Sequence, residues 1–427
     1  MEELDLVVVG AGLSGLTAAY YAAKAGLGVL VLERGDLAGS KNLSGGRLYL
    51  GPLRGLLEEL LEGLPLERKV VVERLSAMGQ DGSATLSFRH RILGEPQYES
   101  HTVLRALLDS HLAERVAQAG GFVVPQKRVD GLILDHGKVA GIRSDGEEIR
   151  AKAVILAEGV LGLLSRELGL SSPPQPREVA TALKEVIQLP EGTLEPRFGV
   201  GEGQGVAHLF VGSITSGIGG GGFLYTNRDS VSLGLVLRLE DLMRAQARPH
   251  ELLESFKARE EIASLIQGGR LLEYGAHMIP EARRVPISRL VGDGYLIVGD
   301  AAGLSLNMGV TVRGMDMAMA SGLFAAKAVI QAVQRQDFSA SSLALYVAQL
   351  QESFVLKDVN RFAPLEKILG IPRIYREYPE LICEALAGLF RVGPGPKEGY
   401  LRSLRRALSK GPGVPSLLKD LWAMRKL

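Results

Sequence analysis

Cysteine is almost absent from this chain, whose 427 residues include only Cys383. A single thiol excludes an intrachain disulfide, a CxxC redox pair, a cysteine-rich zinc site and the four thiolates of an iron–sulfur cluster. It suits a reducing compartment. A chain of this length buries enough apolar surface to fold as two or three domains without such cross-links.

An excess of one charge sign is also missing. The 49 basic and 48 acidic residues give a net charge of +1, so no overall field attracts nucleic acid. No run of ~18 uncharged apolar residues occurs, and the opening MEELDLVVVGAG lacks the basic-then-apolar order of a signal peptide. We therefore expect the chain to start at Met1 and to stay in the cytoplasm. No pair among the seven histidines has metal-ligand spacing, so we predict no metal site.

Glycine, in contrast, is abundant, with 53 residues. The apolar run 4–9 predicts a buried parallel strand, which a glycine-rich turn joins to a helix at 13–25 and a strand at 28–32. Such a βαβ unit holds a pyrophosphate at the helix N-terminus, and Glu33 would accept the ribose hydroxyls of an adenosine. FAD and NAD both use this unit, and a plain tight turn with a solvated acid is the alternative. The predicted contacts here are Gly10, Gly12, Leu13, Ser14, Gly15, Glu33 and Arg34.

A second motif far downstream distinguishes between the two dinucleotides. The sequence GDAAG at 299–303 follows a buried strand pattern at 294–298 and precedes a long helical pattern at 309–333. In flavoproteins an Asp at this place binds the ribityl chain, and the next helix N-terminus faces the pyrimidine edge of the flavin. Asp300 as a simple helix cap is the alternative. Together with the N-terminal unit, the motif indicates FAD.

The remaining patterns divide the chain further. Strand signals at 121–157 predict a small meander inserted in a parallel sheet. Between 173 and 280, strand candidates and the glycine cluster 217–222 predict a second domain with an antiparallel sheet, and the pattern beyond 340 is helical. Other predicted elements are helices at 52–63 and 101–119 and strands at 69–89, 206–213 and 231–238.

Three sequence runs resemble the electron-transfer-flavoprotein:quinone oxidoreductases, above all the prokaryotic FixC or EtfC-type subunits. They are GSKNLSGGR at 39–47, GGGGFLYTNRDSVSLGLVL at 219–237 and GDAAGLSLNMGVTVRGMD at 299–316. The resemblance covers essentially the whole chain. It implies an α/β fold with a discontinuous, glutathione-reductase-like Rossmann FAD domain, an inserted antiparallel α+β quinone domain and a helical C-terminal region. The predicted divisions are 1–75, 100–172 and 281–340 for the FAD domain, 76–99 and 173–280 for the quinone domain, and 341–427 for the C-terminal region.

The resemblance also implies roles for individual residues. The loop at 40–47 would approach the isoalloxazine, Arg105 the phosphates, and the turn at 157–159 the nucleotide. The alternatives are an ordinary glycine-rich loop, a surface ion pair for Arg105, a structural role for Glu158, helix capping near 307–311, and a functionless bulge or hairpin at 217–222. The glycine cluster 217–222 would let the backbone approach the flavin or the quinone ring, and Tyr225 and Arg228 are candidates for the quinone side. The further predicted cofactor contacts are Ser40, Lys41, Ser44, Gly45, Gly46, Arg47, Arg105, Ala157, Glu158, Gly159, Gly299, Asp300, Asn307, Gly309, Val310 and Thr311.

The implied reaction needs partners. Fused members of the family carry a ferredoxin-like segment with a 4Fe–4S cluster, and because this chain has only Cys383, a separate ferredoxin-like 4Fe–4S subunit would supply it. We predict an FAD-dependent oxidoreductase without a dedicated catalytic residue that takes electrons from an electron-transfer flavoprotein heterodimer, through that subunit, to mena- or ubiquinone. The alternatives are an NAD(P)H-dependent flavin reductase or hydroxylase acting on an isoprenoid or other lipid, and a flavin-holding scaffold.

Membrane contact has two candidate segments. The leucine stripe at 52–63 suits either an apolar membrane face or the protein core. The segment PSLLKDLWAMRKL at 415–427 combines apolar and basic residues, which suits an interfacial helix, a partner-docking helix or packing on its own domain. We expect a peripheral protein on the cytoplasmic face of the cell membrane.

Overall fold

A computed structural model describes residues 3–42, 46–281 and 285–425. Its strands are β1 (Leu4–Val9), β2 (Val29–Leu32), β3 (Gly46–Tyr49), β4 (Leu66–Met78), β5 (Ser83–Arg89), β6 (Ser100–Val103), β7 (Phe122–Val124), β8 (Val129–Asp135), β9 (Lys138–Ser144), β10 (Glu147–Leu156), β11 (Val179–Gln188), β12 (Gln204–Gly212), β13 (Gly220–Thr226), β14 (Ser230–Arg238), β15 (Arg270–Pro280), β16 (Val291–Gly292), β17 (Tyr295–Ile297), β18 (Leu306–Asn307) and β19 (Val312–Arg313). Its α-helices are α1 (Leu13–Lys24), α2 (Glu58–Leu61), α3 (Arg105–Gln118), α4 (Leu163–Glu167), α5 (Leu194–Phe198), α6 (Leu239–Ala245), α7 (Pro249–Lys257), α8 (Glu260–Ile266), α9 (Met315–Arg335), α10 (Ala340–Leu343), α11 (Leu345–Glu352), α12 (Phe354–Phe362), α13 (Leu365–Leu369), α14 (Glu377–Phe390), α15 (Tyr400–Lys410) and α16 (Val414–Met424).

The first sheet runs in the order β16-β17-β10-β1-β2-β7, and its central pairings are parallel. The strands β8 and β9 form the predicted meander and lead antiparallel into β10. Helices α1 and α9 pack closely together beside this sheet because Gly322 has no side chain. A Cβ at Gly322 would lie 2.2 Å from the carbonyl oxygen of Ser14. The α/β fold with a Rossmann-like unit at its N-terminus is as predicted.

The second sheet runs in the order β15-β11-β14-β13-β12-β4-β6-β3, with β5 paired to β4. All of these pairings are antiparallel except that of β12 with β4. Its core against α5, α7 and α8 contains Phe198, Phe256 and Ile262, all fully buried. Lys184 and His277 lie on the opposite face of the sheet. Lys184 is two residues from Ala182 on β11 and so shares its face, and Ala182 pairs with His277 on β15.

The second sheet takes more of the N-terminal half than the sequence suggested. Strand β3 and the first part of β4 precede the predicted boundary at 76, and β6 follows the one at 99, yet all three pair within this sheet. Two helix predictions also start too early. Residues predicted as helix from 101 form β6 up to Val103, and those predicted from 309 form the hairpin β18–β19, so α3 begins at Arg105 and α9 at Met315.

The predicted helix at 52–63 is broken. It consists of a 3₁₀ turn at Gly51–Leu53 and the short α2, because Gly55 and Gly63 adopt positive φ angles of 75° and 72°. Leu57 and Leu60 are fully buried in the core. The interpretation of this stripe as protein core is therefore correct, and its interpretation as a membrane face is wrong.

The C-terminal region is helical, as predicted, from α10 to α16. Its later helices leave large apolar side chains in solvent, including Phe390 at 80% exposure and Leu401 at 75%. Among the described residues, one helix, α9, is long and apolar enough to cross a membrane, but 78% of its most apolar window is buried inside the protein. This burial is typical of a core helix.

Candidate functional site

A cavity of about 300 Å³ lies where the turns after β1, β2 and β10 meet the start of α3 and the start of α9. We call it the central cavity. Because ligands of open α/β sheets bind beyond the carboxyl ends of the strands, its place in the fold suits a nucleotide. The predicted residues that line it are Gly10, Gly12, Leu13, Ser14, Glu33, Arg34, Lys41, Arg105, Ala157, Glu158, Gly159 and Asp300.

The turn between β1 and α1 presses against the end of β10. A Cβ on Gly10, whose φ is 104°, would lie 2.4 Å from the carbonyl oxygen of Ala157, and a Cβ on Gly15 would lie 2.1 Å from that of Gly10. Gly15 therefore packs behind the turn rather than in the cavity. A Cβ on Gly12 would meet no atom within 4 Å. The first-turn amides of α1 and the open side of Gly12 thus leave space for an anion at the helix N-terminus.

Glu33 fixes the end of β2 to this turn. Its two carboxylate oxygens accept hydrogen bonds from the backbone amides of Ala11, at 2.9 Å, and Gly35, at 2.7 Å. Each oxygen keeps a second lone pair, so the carboxylate can still accept hydroxyl groups at the cavity wall. A carboxylate placed in this way suits the ribose hydroxyls of an adenosine.

Arg105 brings a cation to the cavity. Its guanidinium donates two hydrogen bonds, of 2.8 and 2.7 Å, to the fully buried carboxylate of Asp109, which Asn42 also contacts at 2.6 Å. Burial opposes the charge of Arg105, but Asp109 outweighs it and raises the pKa of the guanidinium. Arg105 therefore forms a largely buried ion pair rather than a surface one, and a guanidinium held in this way at the cavity wall is suited to a phosphate.

Asp300 also lines the central cavity. Burial raises the pKa of its carboxyl group, and nearby Arg105 lowers it in part. Gly299 before it has a φ of 61°, and a Cβ there would lie 2.6 Å from the hydroxyl of Ser14, so this turn packs tightly on α1. A half-buried carboxylate at this position is a good acceptor for polyol hydroxyls.

Glu158 has a structural role in addition to lining the cavity. Its carboxylate accepts hydrogen bonds from the amides of Leu164, at 2.7 Å, and Ser165, at 3.0 Å, and from the Ser165 hydroxyl, at 2.7 Å. It therefore caps the start of α4.

The predicted loop at 40–47 lies beside the cavity, as does the β18–β19 hairpin, which carries the contacts predicted at 307–311. Ser40 accepts a hydrogen bond from the amide of Leu37, Gly46 packs against Met315, and Arg47 pairs with Glu73 across the second sheet. Ser44 and Gly45 lie outside the described residues. In the β18–β19 hairpin, the side chain of Asn307 accepts a hydrogen bond from the amide of Gly309, and neither these two residues nor Val310 and Thr311 line the central cavity.

Asn307 instead lines a second cavity of about 260 Å³ between β14 and the C-terminal helices. The glycine cluster 217–222 lies close to it, since the carbonyl of Gly219 accepts from the amide of Arg238, whose side chain lines this cavity. Tyr225 lies near Arg47 in the interior, where burial raises its pKa. Arg228 is exposed in a turn and donates to the carbonyl of Leu66.

The sequence did not indicate every residue of the central cavity. His277 reaches it from β15, and burial together with Arg105 and Arg34 lowers the pKa of its ring. Gly314, Met315 and Ala318 bring the N-terminus of α9 to it. The family-like run through 316 contained a signal for α9, whereas a lone histidine on a strand gave none.

The central cavity fits FAD on its own observations. It combines an open glycine turn, the carboxylate of Glu33, the ion-paired guanidinium of Arg105 and the half-buried carboxylate of Asp300. A helix N-terminus beside Asp300 completes the set. Among the described residues, no group of three or more His, Cys, Asp or Glu side chains is arranged to hold a metal ion.

Comparison with known proteins agrees with this site. Residues 5–104 match the family described as FAD dependent oxidoreductase, and residues 180–279 match the family described as ETF-QO, ubiquinone-binding. A solved geranylgeranyl bacteriochlorophyll reductase-like protein from Thermoplasma acidophilum shares the fold, with a TM-score of 0.72 and 23% identity over 99% of both chains.

Curated relatives are much more similar in sequence. The probable electron transfer flavoprotein-quinone oxidoreductase YdiS of Escherichia coli K12 is 43% identical over 98% of this chain and 97% of its own length. Protein FixC of the same strain is 42% identical over 97% of both chains. The chain therefore belongs to the FixC and electron-transfer-flavoprotein:quinone oxidoreductase family of FAD-dependent oxidoreductases.

Proposed function

We propose that this chain holds FAD in the central cavity and passes electrons from an electron-transfer flavoprotein heterodimer to a membrane quinone. A separate ferredoxin-like 4Fe–4S subunit would lie between donor and flavin, because the chain has one cysteine. The observation that carries the proposal is that Gly12, Glu33 and Asp300 line one cavity. Family membership and the match of residues 180–279 to a ubiquinone-binding model support the acceptor.

Bound FAD would supply two-electron redox chemistry, and the chain would position it and exclude water. In this proposal the α1 N-terminus and Arg105 hold the diphosphate, Glu33 accepts the ribose hydroxyls, and Asp300 accepts hydroxyls of the ribityl chain. The N-terminus of α9 would lie at the pyrimidine edge of the flavin. No side chain acts as a nucleophile. The remaining predicted contacts stay part of the proposal, including Ser44 and Gly45.

We propose the same three-part organisation as the sequence indicated: a discontinuous FAD domain at 1–75, 100–172 and 281–340, an inserted quinone domain at 76–99 and 173–280, and a C-terminal region at 341–427. The sheet pairings favour adding β3, β6 and all of β4 to the quinone domain. The glycine cluster beside the second cavity, together with Tyr225, remains the candidate quinone side.

Peripheral attachment to the cytoplasmic face of the membrane is part of the proposal. The helices α15 and α16 expose Leu401, Leu404 and Trp422, at 75%, 44% and 59%. Exposed basic side chains such as Arg405 and Lys419 lie among them. Apolar and cationic side chains exposed on the same helices suit an anionic lipid interface.

The test uses the purified chain reconstituted with FAD, the donor heterodimer and the ferredoxin-like subunit. The expected result is one FAD per chain, reduction by the donor only through the small subunit, and reoxidation by a short-chain quinone analogue. Glu33→Ala should lose FAD, whereas Glu147→Ala, at an exposed strand end, should retain it. Failure to reduce the quinone would contradict the proposal, and rapid flavin reduction by NAD(P)H alone would favour the reductase or hydroxylase alternative.

A further inference from the structure

Arg313 joins three parts of the molecule beside the central cavity. Its guanidinium donates two hydrogen bonds, of 2.8 and 2.5 Å, to one carboxylate oxygen of Asp316 in the first turn of α9. A third, of 2.6 Å, goes to Asp358 on α12. The side chain of Arg313 is only 10% exposed, and that of Asp316 is 1% exposed. The β18–β19 hairpin, α9 and the C-terminal region are thus held by one buried cation.

Aromatic rings also contact this guanidinium. The ring centroids of Phe354, on α12, and Tyr49, on β3, lie 5.1 and 6.0 Å from the Arg313 Cζ atom. The rings exclude water, so that the charges of Arg313 and Asp316 are screened less than those of a surface pair. Burial raises the pKa of the Asp316 carboxyl group, and Arg313 opposes that rise.

The charge in this turn matters because the turn adjoins the central cavity. Gly314 and Met315 line the cavity, and Asp316 is the next residue. A helix N-terminus carries a partial positive charge of roughly half a unit, which an unpaired aspartate in the first turn would cancel. With Arg313 paired to Asp316, the positive end of α9 is retained at the cavity wall.

We propose that Arg313 is a positioning residue that neutralises Asp316, keeps the cavity end of α9 electropositive and thereby raises the midpoint potential of bound FAD. The inference rests on the proposed function, since it requires the flavin pyrimidine edge at the N-terminus of α9. Reduction places negative charge at that edge, so a more positive surrounding favours the reduced form.

The test is a spectral redox titration of FAD-loaded variants against a reference dye, with FAD affinity and thermal unfolding measured in parallel. Arg313→Gln removes a positive charge and should shift the two-electron equilibrium about tenfold towards oxidised flavin, or about 30 mV downwards. Asp316→Asn removes a negative charge and should shift it in the opposite direction. The double variant should return to within about twofold of wild type. Asp358→Asn is the matched control, because its carboxylate is 29% exposed and lies on another helix, and its shift should be smaller than that of Asp316→Asn.

Midpoint-potential shifts of opposite sign in Arg313→Gln and Asp316→Asn are the signature of a charge effect. Loosened packing would instead weaken FAD binding in both variants, and combining them would not restore the wild-type potential. Unshifted potentials, or shifts of one sign, in variants that still bind FAD would overturn the inference. If Arg313→Gln does not fold, the other two single variants decide instead, because Asp316→Asn should raise the midpoint potential more than Asp358→Asn does. A wild-type chain that binds no FAD would refute the proposed function itself, and the two failures are therefore distinguishable.

Discussion

Two glycine-rich segments look alike in the sequence and do different things in the structure. In the turn after β1, the absent side chain of Gly12 faces open space at the central cavity. In the second sheet, other atoms of the protein fill the space where side chains at 219–222 would lie. A Cβ would lie 2.7 Å from Asp241 at Gly219, 2.0 Å from the Val236 carbonyl oxygen at Gly220 and 2.9 Å from Phe256 at Gly222.

This difference separates two uses of glycine. One makes room for a ligand, and the other lets strands and a helix of the same chain approach closely. At 217–222, a side chain on any of the glycines would collide with the protein itself, which favours the interpretation of this segment as a structural bulge or hairpin. Their backbone remains a candidate quinone contact. A substitution in the second sheet should therefore lower the stability of the fold, whereas one in the turn after β1 should lower the affinity for FAD.

The largest effect is expected in the second sheet, from Gly220→Ala. The φ of Gly220 is 138° and its new Cβ would collide with the carbonyl oxygen of Val236, so the free energy of unfolding should fall by about 3 kcal/mol or more. Urea titration measures this, with Gly393→Ala as control, because no atom lies within 4 Å of a Cβ there. A loss below about 1 kcal/mol would contradict the self-packing account.

The second sheet should also be sensitive to mild acid through His208. Burial, with a contribution from Arg74, lowers the pKa of its ring to about 3, while Ser76 lies 2.7 Å from its Nε2 atom. Because the folded pKa lies below the unfolded value of about 6.5, stability is complete above that pH and falls as the pH decreases towards 3. At pH 5 the loss should be about 2 kcal/mol.

The measurement is the free energy of unfolding of wild type and His208→Gln between pH 7 and 5. The variant should be less stable at pH 7 but should lose the part of the pH slope that His208 causes, so the two curves should converge in acid. His250→Gln, at an exposed position, should follow the wild-type curve. Parallel curves for His208→Gln and wild type would show that the ring is not buried as described.

The sequence predicts well those elements that local signals determine, and it predicts poorly those that depend on distant pairing. The unit β1-α1-β2 is found within one or two residues of its predicted limits, since an apolar run, glycine punctuation and helix formers are all local signals. The strand β3 was not predicted, because its partner β6 lies about fifty residues away and only tertiary pairing makes it a strand. Local patterns likewise could not show that the first residues of the helix predicted at 101–119 form the strand β6.

The site shows the same limit. Gly12, Glu33 and Asp300 lie in motifs with fixed spacing, and the structure brings them to one cavity as the sequence suggested. His277 could not be found, because only the register of β15 against β11 turns it towards Arg105. The role of Asp109 was also missed, since nothing in the helical pattern of α3 says that its buried carboxylate orients the guanidinium of Arg105.

A smaller effect is expected at the open glycine. Gly12 has a φ of −87°, which alanine adopts readily, and Gly12→Ala should leave stability unchanged or raise it by up to about 1 kcal/mol. The new methyl group occupies space that we assign to the diphosphate, so FAD affinity should fall about tenfold, or about 1.4 kcal/mol. Fluorescence titration measures the affinity. Unchanged affinity would show that the diphosphate does not lie against this turn.

The smallest effect tests the acid response of the first sheet. Asp5 accepts hydrogen bonds of 2.8 Å from the amide of Gly28 and from Lys152, and it joins the starts of β1 and β2 to the middle of β10. Burial opposes its ionisation, but these hydrogen bonds outweigh burial and lower its pKa below the usual 3.8. The stabilisation is therefore complete above about pH 3.8 and is lost only as the pH falls through the lower, folded pKa.

Asp5→Asn should reduce the free energy of unfolding by about 0.5 kcal/mol at pH 7, as for other partly exposed pairs. The difference from wild type should stay constant between pH 7 and 5, where His208 in the second sheet already responds. A difference that shrinks across that range would mean that Asp5 titrates near neutral pH. The two sheets would then share one acid response, and the contrast between a first sheet with ion pairs at its edge and a second sheet with a buried neutral imidazole would fail.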